Sequence, residues 1–191
     1  MCIRDRYRTA KELQGYISKL EEIRVPVIAA VHGGVIGGAL DLITACDMRF
    51  ASNDAFFCIQ EINIGMAADV GTLQRLPKII PDSKMREMAY SGRRMLADEA
   101  KDSGLVGEVY ETQDQMLDAV HKLAAEIASK SPVAIYGLKA VMNYSRDHNV
   151  SDSLDFNALW SGAMLSQTDM AEAMTAQTVS YTHLTLPTSS R

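Results

Sequence analysis

Apolar residues at Leu13, Tyr16, Ile17, Leu20 and Ile23 recur at intervals of three and four, which predicts an amphipathic helix over residues 10–22. Thr9 and Glu12 have the spacing of a capping box at its start. The pattern then changes. Val25-Pro-Val-Ile-Ala-Ala-Val31 is an unbroken apolar run, the mark of a buried strand, with Pro26 tolerated near its beginning. His32-Gly33-Gly34 predicts a turn, and Gly37-Gly38 opens a second helix that carries Leu40, Ile43 and Thr44. Residues 48–52 and 55–59 read as two strands around an Asn53-Asp54 turn. Residues 60–69 follow no period. A helix to Leu76 comes next and stops before Pro77; Pro81-Asp82 starts another, which Gly92 ends.

Farther on, the pattern predicts a short helix over 97–103, closed by Gly104, and a strand over 106–110. Thr112 and Gln115 cap a helix that reaches Ser129 with Leu117, Val120, Leu123, Ala124 and Ile127 on one face. Ser131-Pro132 begins the next helix, and Ser151 begins a third that carries Leu154, Ala158, Leu159 and Trp160. Strands alternating with helices, followed by a helical tail, predict an α/β or α+β layer fold.

Composition narrows the function classes. The 191 residues suit about one domain at roughly 150 residues each. With 47% hydrophobic and 23% charged residues, the chain is neither disordered nor fibrous. A net charge of -5 argues against nucleic acid as a partner, and Arg93-Arg94 is too short to be a basic patch. The apolar stretch 25–46 is broken by Pro26, His32, Asp41 and four glycines, so no membrane span is predicted. Cys2, Cys46 and Cys58 form no CxxC pair, which predicts a reducing compartment without a disulfide framework or a zinc site. The two ends, residues 1–8 and 178–191, resemble translated adapter DNA and are expected to be non-native, with a longer parent protein.

Candidate chemistry gathers in two places. Within His32-Gly-Gly-Val-Ile-Gly-Gly-Ala-Leu-Asp41, the glycines permit close backbone approach, and a helix start leaves N–H groups unpaired. An N–H near Gly38 is therefore a candidate oxyanion donor. Asp41 returns to the same helix face one turn later. As a carboxylate between Leu40 and Leu42, in a segment fit for burial, it either complements a helix start or takes part in chemistry. Glu61 and Asp69 form a second pair. Fully extended, they would stand about 26 Å apart, so the segment must fold back at Gly65 if they are to share one small substrate. Ile62, Ile64, Met66 and Ala67 would give that loop an apolar lining. His32 reads as structural, His121 and His148 as solvated, Cys46 and Cys58 as core, and Met85, Met88 and Met95 as core filling. No P-loop, GxGxxG or nucleophile motif is present.

These residues resemble the crotonase (enoyl-CoA hydratase/isomerase) superfamily. The likeness runs through Val25-Pro-Val-Ile-Ala-Ala-Val-His-Gly33, Gly37-Gly38, Ala45-Cys-Asp47, Gln60-Glu61, Gln74-Arg-Leu-Pro77, Gly104-Leu-Val106 and Ser131-Pro132. Gly38-Ala-Leu-Asp-Leu-Ile-Thr-Ala-Cys-Asp47, Ala67-Ala-Asp-Val-Gly-Thr-Leu-Gln-Arg-Leu76 and Tyr144-Ser-Arg-Asp-His148 are most similar to its delta(3,5)-delta(2,4)-dienoyl-CoA isomerase branch. The resemblance implies a crotonase-like ββα spiral over 9–110, incomplete at its N-terminus, and a helical trimerisation region over 111–177. It implies proton transfer by Glu61 and Asp69, with Asp41 orienting the acid pair and Gly38 or Ala39 holding the dienolate oxygen.

An acyl-CoA thioester would be the substrate, in fatty-acid β-oxidation, with no metal or redox cofactor. The assembly would be a homotrimer or a dimer of trimers. The compartment would be the bacterial cytoplasm by default, or the mitochondrion or peroxisome. The family's opening strands, which supply a second oxyanion N–H, are expected to be missing, so weak or no activity is expected of this fragment. Hydratases of the superfamily generally carry Glu at the position of Asp41 and no acid at that of Asp69. A 2-enoyl-CoA hydratase and a non-catalytic acyl-CoA-binding or assembly subunit are the alternatives.

Overall fold

Pro26 cannot donate to a sheet ladder, and the first strand of the computed structural model, β1 (Ile28–Val31), starts after it rather than at Val25. The structure describes residues 2–165 together with 167, 168, 170, 171, 174 and 175. The segment 178–191, expected to be non-native, lies outside them. Asp47 clips β1 in place: its Oδ2 accepts from the Val27 N–H at 2.7 Å, while the Val27 carbonyl accepts from the Asp47 and Met48 amides. That clip sets the register of β3 (Met48–Ser52), which runs parallel to β1 with Ile28 opposite Met48.

Beyond β1 the pattern predicted only a turn, but Gly34–Ile36 form a strand, β2, parallel to β4 (Phe56–Cys58). Three residues are too few to display an alternation, and pairing with β4 is what makes the strand. Gly34 is needed there, because a Cβ would stand 2.9 Å from the Phe56 ring. The strands on either side of Asn53-Asp54 do not pair with each other. β3 joins a parallel sheet of order β1-β3-β6, and β4 a second sheet of order β2-β4-β5. Here β6 is Glu108–Tyr110, and β5 (Arg94–Leu96) is antiparallel to β4 and has no signal in the sequence pattern. Each turn carries the chain from one sheet to the other. Asp54 braces both crossings, accepting from Ser52 Oγ at 2.5 Å and from the Gly33 N–H at 3.2 Å. The result is the ββα spiral.

The core fills the space around the two sheets and helices α2 (Gly38–Thr44), α4 (Asp82–Ser91) and α5 (Ala97–Asp102). Leu40, Phe57, Leu76, Met88, Met95 and Leu105 are sealed from solvent, and Met85, Cys46 and Cys58 are buried as expected. Arg49 donates to the carbonyls of Cys46 at 2.7 Å and Leu105 at 2.8 Å. It thereby joins the end of α2 to the chain before β6, and burial pushes its guanidinium below its ordinary value. Helix α6 (Gln113–Ala128) covers β1, β3 and β6. Its face is anchored by Val120 and by Met116, which the pattern omitted, while Ala124 is exposed.

Helix α1 spans Ile3–Glu22, so Thr9 lies inside it and makes no capping box. Its only half-buried apolar side chains among the expected five are Ile17 and Leu20. The described chain divides after Ala128 into two compact units. In the second, α7 (Pro132–Asp147) packs on α8 (Val150–Met164), which is capped by Asn149 rather than Ser151. Gly137 lies against the Trp160 indole, and Tyr136 meets that ring edge-on at 4.8 Å. His148 is exposed and stacks on Tyr144. Among the described residues, no helix is long and apolar enough to cross a membrane.

Candidate active site

Gly37 is the hinge of the site. Its N–H donates to the Cys58 carbonyl at 3.0 Å, fastening the end of β2 to the end of β4. Its φ of 55° and ψ of -119° belong to glycine. A Cβ there would also stand 2.9 Å from Glu61 Oε1, so the Glu61 carboxylate rests against a bare Cα. The next two residues, Gly38 and Ala39, begin α2. The first helical donors are the Leu40 and Asp41 amides, both to the Gly37 carbonyl, at 2.7 and 3.1 Å. The Gly38 and Ala39 N–H groups precede them and have no partner within the helix. Both residues are exposed, and a Cβ on Gly38 would meet nothing within 4 Å. The Glu61 carboxylate therefore lies at the exposed start of α2, where the first N–H groups lack intrahelical acceptors.

The chain turns directly after Glu61. Gln60–Ile64 form a 3-10 turn that Gly65 closes at φ 76°, and the Met66 N–H donates to the Glu61 carbonyl at 2.9 Å. Ile59, Ile62, Met66 and Leu73, with Met85 and Ala89 of α4, line a cavity of about 280 Å3; Ile64 is exposed. Asp69 is exposed too, and its carbonyl accepts from Gln14 Nε2 at 2.7 Å.

Asp41 is 1% exposed, and its Oδ1 accepts from the Thr72 N–H at 2.6 Å. Thr72 starts the short helix α3 (Thr72–Arg75), whose N-cap position is Gly71, a residue with no side chain to cap it. Asp41 supplies that cap from α2, and a charged acceptor makes it a strong one. The carboxylate thus complements a helix start, but not that of its own helix. It ties the Gly38–Ala39 donors to the segment that follows Asp69. Sequence reasoning missed Thr72, Gly71, Gln14 and Arg75, since bonds spanning 31 and 55 residues leave no local signal.

A carboxylate beside open N–H donors has the arrangement for taking a proton next to a carbonyl whose oxygen those donors hold. Residues 3–180 match the family model described as Enoyl-CoA hydratase/isomerase. The chain is 51% identical over 180 residues to the mitochondrial delta(3,5)-delta(2,4)-dienoyl-CoA isomerase of Mus musculus, covering 90% of this chain and 55% of that protein. It is 46% identical over 170 residues to the peroxisomal isomerase of the same name from Arabidopsis thaliana, covering 89% of this chain and 61% of that one. Among solved structures, a probable enoyl-CoA hydratase/isomerase from Mycobacterium abscessus superposes with a TM-score of 0.87 at 30% identity, covering 94% of this chain and 70% of that one. The chain therefore spans little more than half the length of the curated relatives it matches.

Proposed function

We propose, from the premise that this chain belongs to the enoyl-CoA hydratase/isomerase family, that the protein isomerises 3,5-dienoyl-CoA to 2,4-dienoyl-CoA. Glu61 removes a proton from C2. The electron pair spreads over C2, C4 and C6 and onto the thioester oxygen, which the Gly38 or Ala39 N–H holds. Protonated Asp69 then delivers its proton to C6, leaving double bonds at C2 and C4. Glu61 ends protonated and Asp69 ionised, and exchange with solvent restores both. Asp41 orients the machinery through Thr72 and exchanges no proton with substrate. The reaction changes no oxidation state and polarises the carbonyl by hydrogen bonds, so it calls for no metal or redox cofactor; CoA is part of the substrate.

The observation that carries this reading is the Glu61 carboxylate packed on Gly37, the residue just before the exposed Gly38 at the start of α2. The test is turnover of 3,5-dienoyl-CoA by the complete protein, followed by the ultraviolet band of the diene conjugated with the thioester. The band is expected to vanish in Glu61→Gln and Asp69→Asn. Water addition to 2-enoyl-CoA that survives Asp69→Asn would make the protein a hydratase. Thioester binding without turnover would make it a binding or assembly subunit.

Exposed Leu138, Met142, Leu154 and Leu159 on α7 and α8 support assembly as a homotrimer or a dimer of trimers. The compartments named for the relatives favour mitochondrion or peroxisome over bacterial cytoplasm.

A further inference from the structure

We propose that Gln14 and Arg75 are positioning residues for Asp69, together forming a latch from α1 that sets where this acid stands. The inference rests on the reading of Asp69 as the group that protonates C6. Arg75 Nη2 donates to Ser18 Oγ at 2.9 Å and to Glu21 Oε2 at 2.8 Å. The Arg75 and Glu21 side chains are only 13% and 15% exposed, so water screens this pair far less than a surface ion pair. The other arm of the guanidinium, Nη1, occupies the place where a Cβ on Gly71 would be, and Gly71 holds a φ of 142°. Arg75 thus lies directly over the backbone two residues after Asp69. Gln14 meanwhile holds the Asp69 carbonyl itself.

Gln14, Ser18 and Glu21 follow one another at spacings of four and three, so they share one face of α1. That face is polar and meets the chain between Asp69 and Arg75. The segment is pinned at both ends: Gln14 holds the carbonyl of Asp69, and Asp41 holds the amide of Thr72. Fixing each backbone residue costs conformational entropy. An exposed acid with no apolar anchor of its own needs such fastenings to keep one geometry.

The test separates the two proton transfers. Exchange of the C2 hydrogen of substrate with deuterated solvent requires Glu61 and the Gly38–Ala39 donors, whereas the latch holds the chain at Asp69 and Gly71. Isomerisation requires Asp69 as well. In the complete protein, Arg75→Met and the gentler Gln14→Leu are expected to slow isomerisation about 100-fold, the scale of a 1 Å misplacement. C2 exchange and KM should stay near wild type, and Arg75→Lys should recover part of the loss. Amide hydrogen exchange at residues 69–72 should quicken in both variants. Equal loss of C2 exchange and isomerisation, or unchanged isomerisation, overturns the latch. A wild type that performs neither reaction defeats the functional reading instead. Amide exchange then decides the latch alone: faster exchange upholds it and unchanged exchange refutes it.

Discussion

Replacing Asp41 by alanine withdraws the acceptor of the Thr72 N–H, and two opposing effects set the cost. Taking a carboxylate out of water is unfavourable, and Asp41 is 1% exposed, so its removal relieves that penalty. Against this stands a 2.6 Å charge-assisted bond, of a class worth about 1.5–3 kcal/mol. Its loss also strands a donor at Thr72, which is itself 1% exposed, at a further 1–3 kcal/mol or so. The stranded donor tips the balance, and Asp41→Ala is expected to destabilise the fold by about 2–3 kcal/mol. Asp41→Asn keeps an acceptor at Oδ1 without the charge and should cost about 1 kcal/mol. Urea denaturation of both variants at unchanged m-value measures the difference, and amide exchange at Thr72 locates it. An alanine variant within about 0.5 kcal/mol of wild type would refute the reasoning. So would an asparagine variant as damaged as the alanine one.

Two other substitutions probe separate features. Gly37→Ala should cost about 1–3 kcal/mol for its left-handed φ. Because the new methyl would meet Glu61 Oε1 at 2.9 Å, it should abolish turnover while leaving the protein folded; retained turnover would show that Glu61 does not need the bare Cα. Glu99 is held by Arg93 at 2.6 Å and Lys84 at 2.8 Å, and these cations, Arg93 first, draw its carboxyl from 4.5 down to about 2. A folded-state value below the unfolded one stabilises the fold above about pH 4.5, and that contribution disappears as pH falls toward 2. In acid titrations followed by circular dichroism, Glu99→Gln should flatten the stability slope across that window, and an identical slope in both proteins would remove Glu99 from the account.

The elements legible in the sequence were those whose cause is local. Gly37-Gly38 with Leu40 and Ile43 announces α2, and Ser131-Pro132 announces α7. Strands β2 and β5 exist because β4 lies between them, and neither Gly34-Val-Ile36 nor Arg94-Met-Leu96 signals that by itself. Asn53-Asp54 has the composition of a hairpin turn, yet partners already in place on β1 and β2 prevail, and the Asp54 carboxylate goes to Gly33 instead. Thr9 loses its cap because residues 3–8 continue the helix. At the site, residue types pointed to Glu61, Asp69 and the Gly38 amide. What Asp41 does depended on Thr72, and no sequence window joins them.

The two crossings between sheets bear on how the chain reaches this structure. Ile28 pairs with Met48 and Gly34 with Phe56, so one coil lies on the next at a separation of about twenty residues, short enough to close early and at modest entropy. Strand β6 pairs with β3 only after the whole stretch through α4 and α5 has been laid down. The first coils can zip as neighbouring repeats do in a solenoid, whereas docking β6 with the helix behind it is a long-range event. A folding transition state structured around β1–β4, with α6 joining late, is the order such connectivity favours.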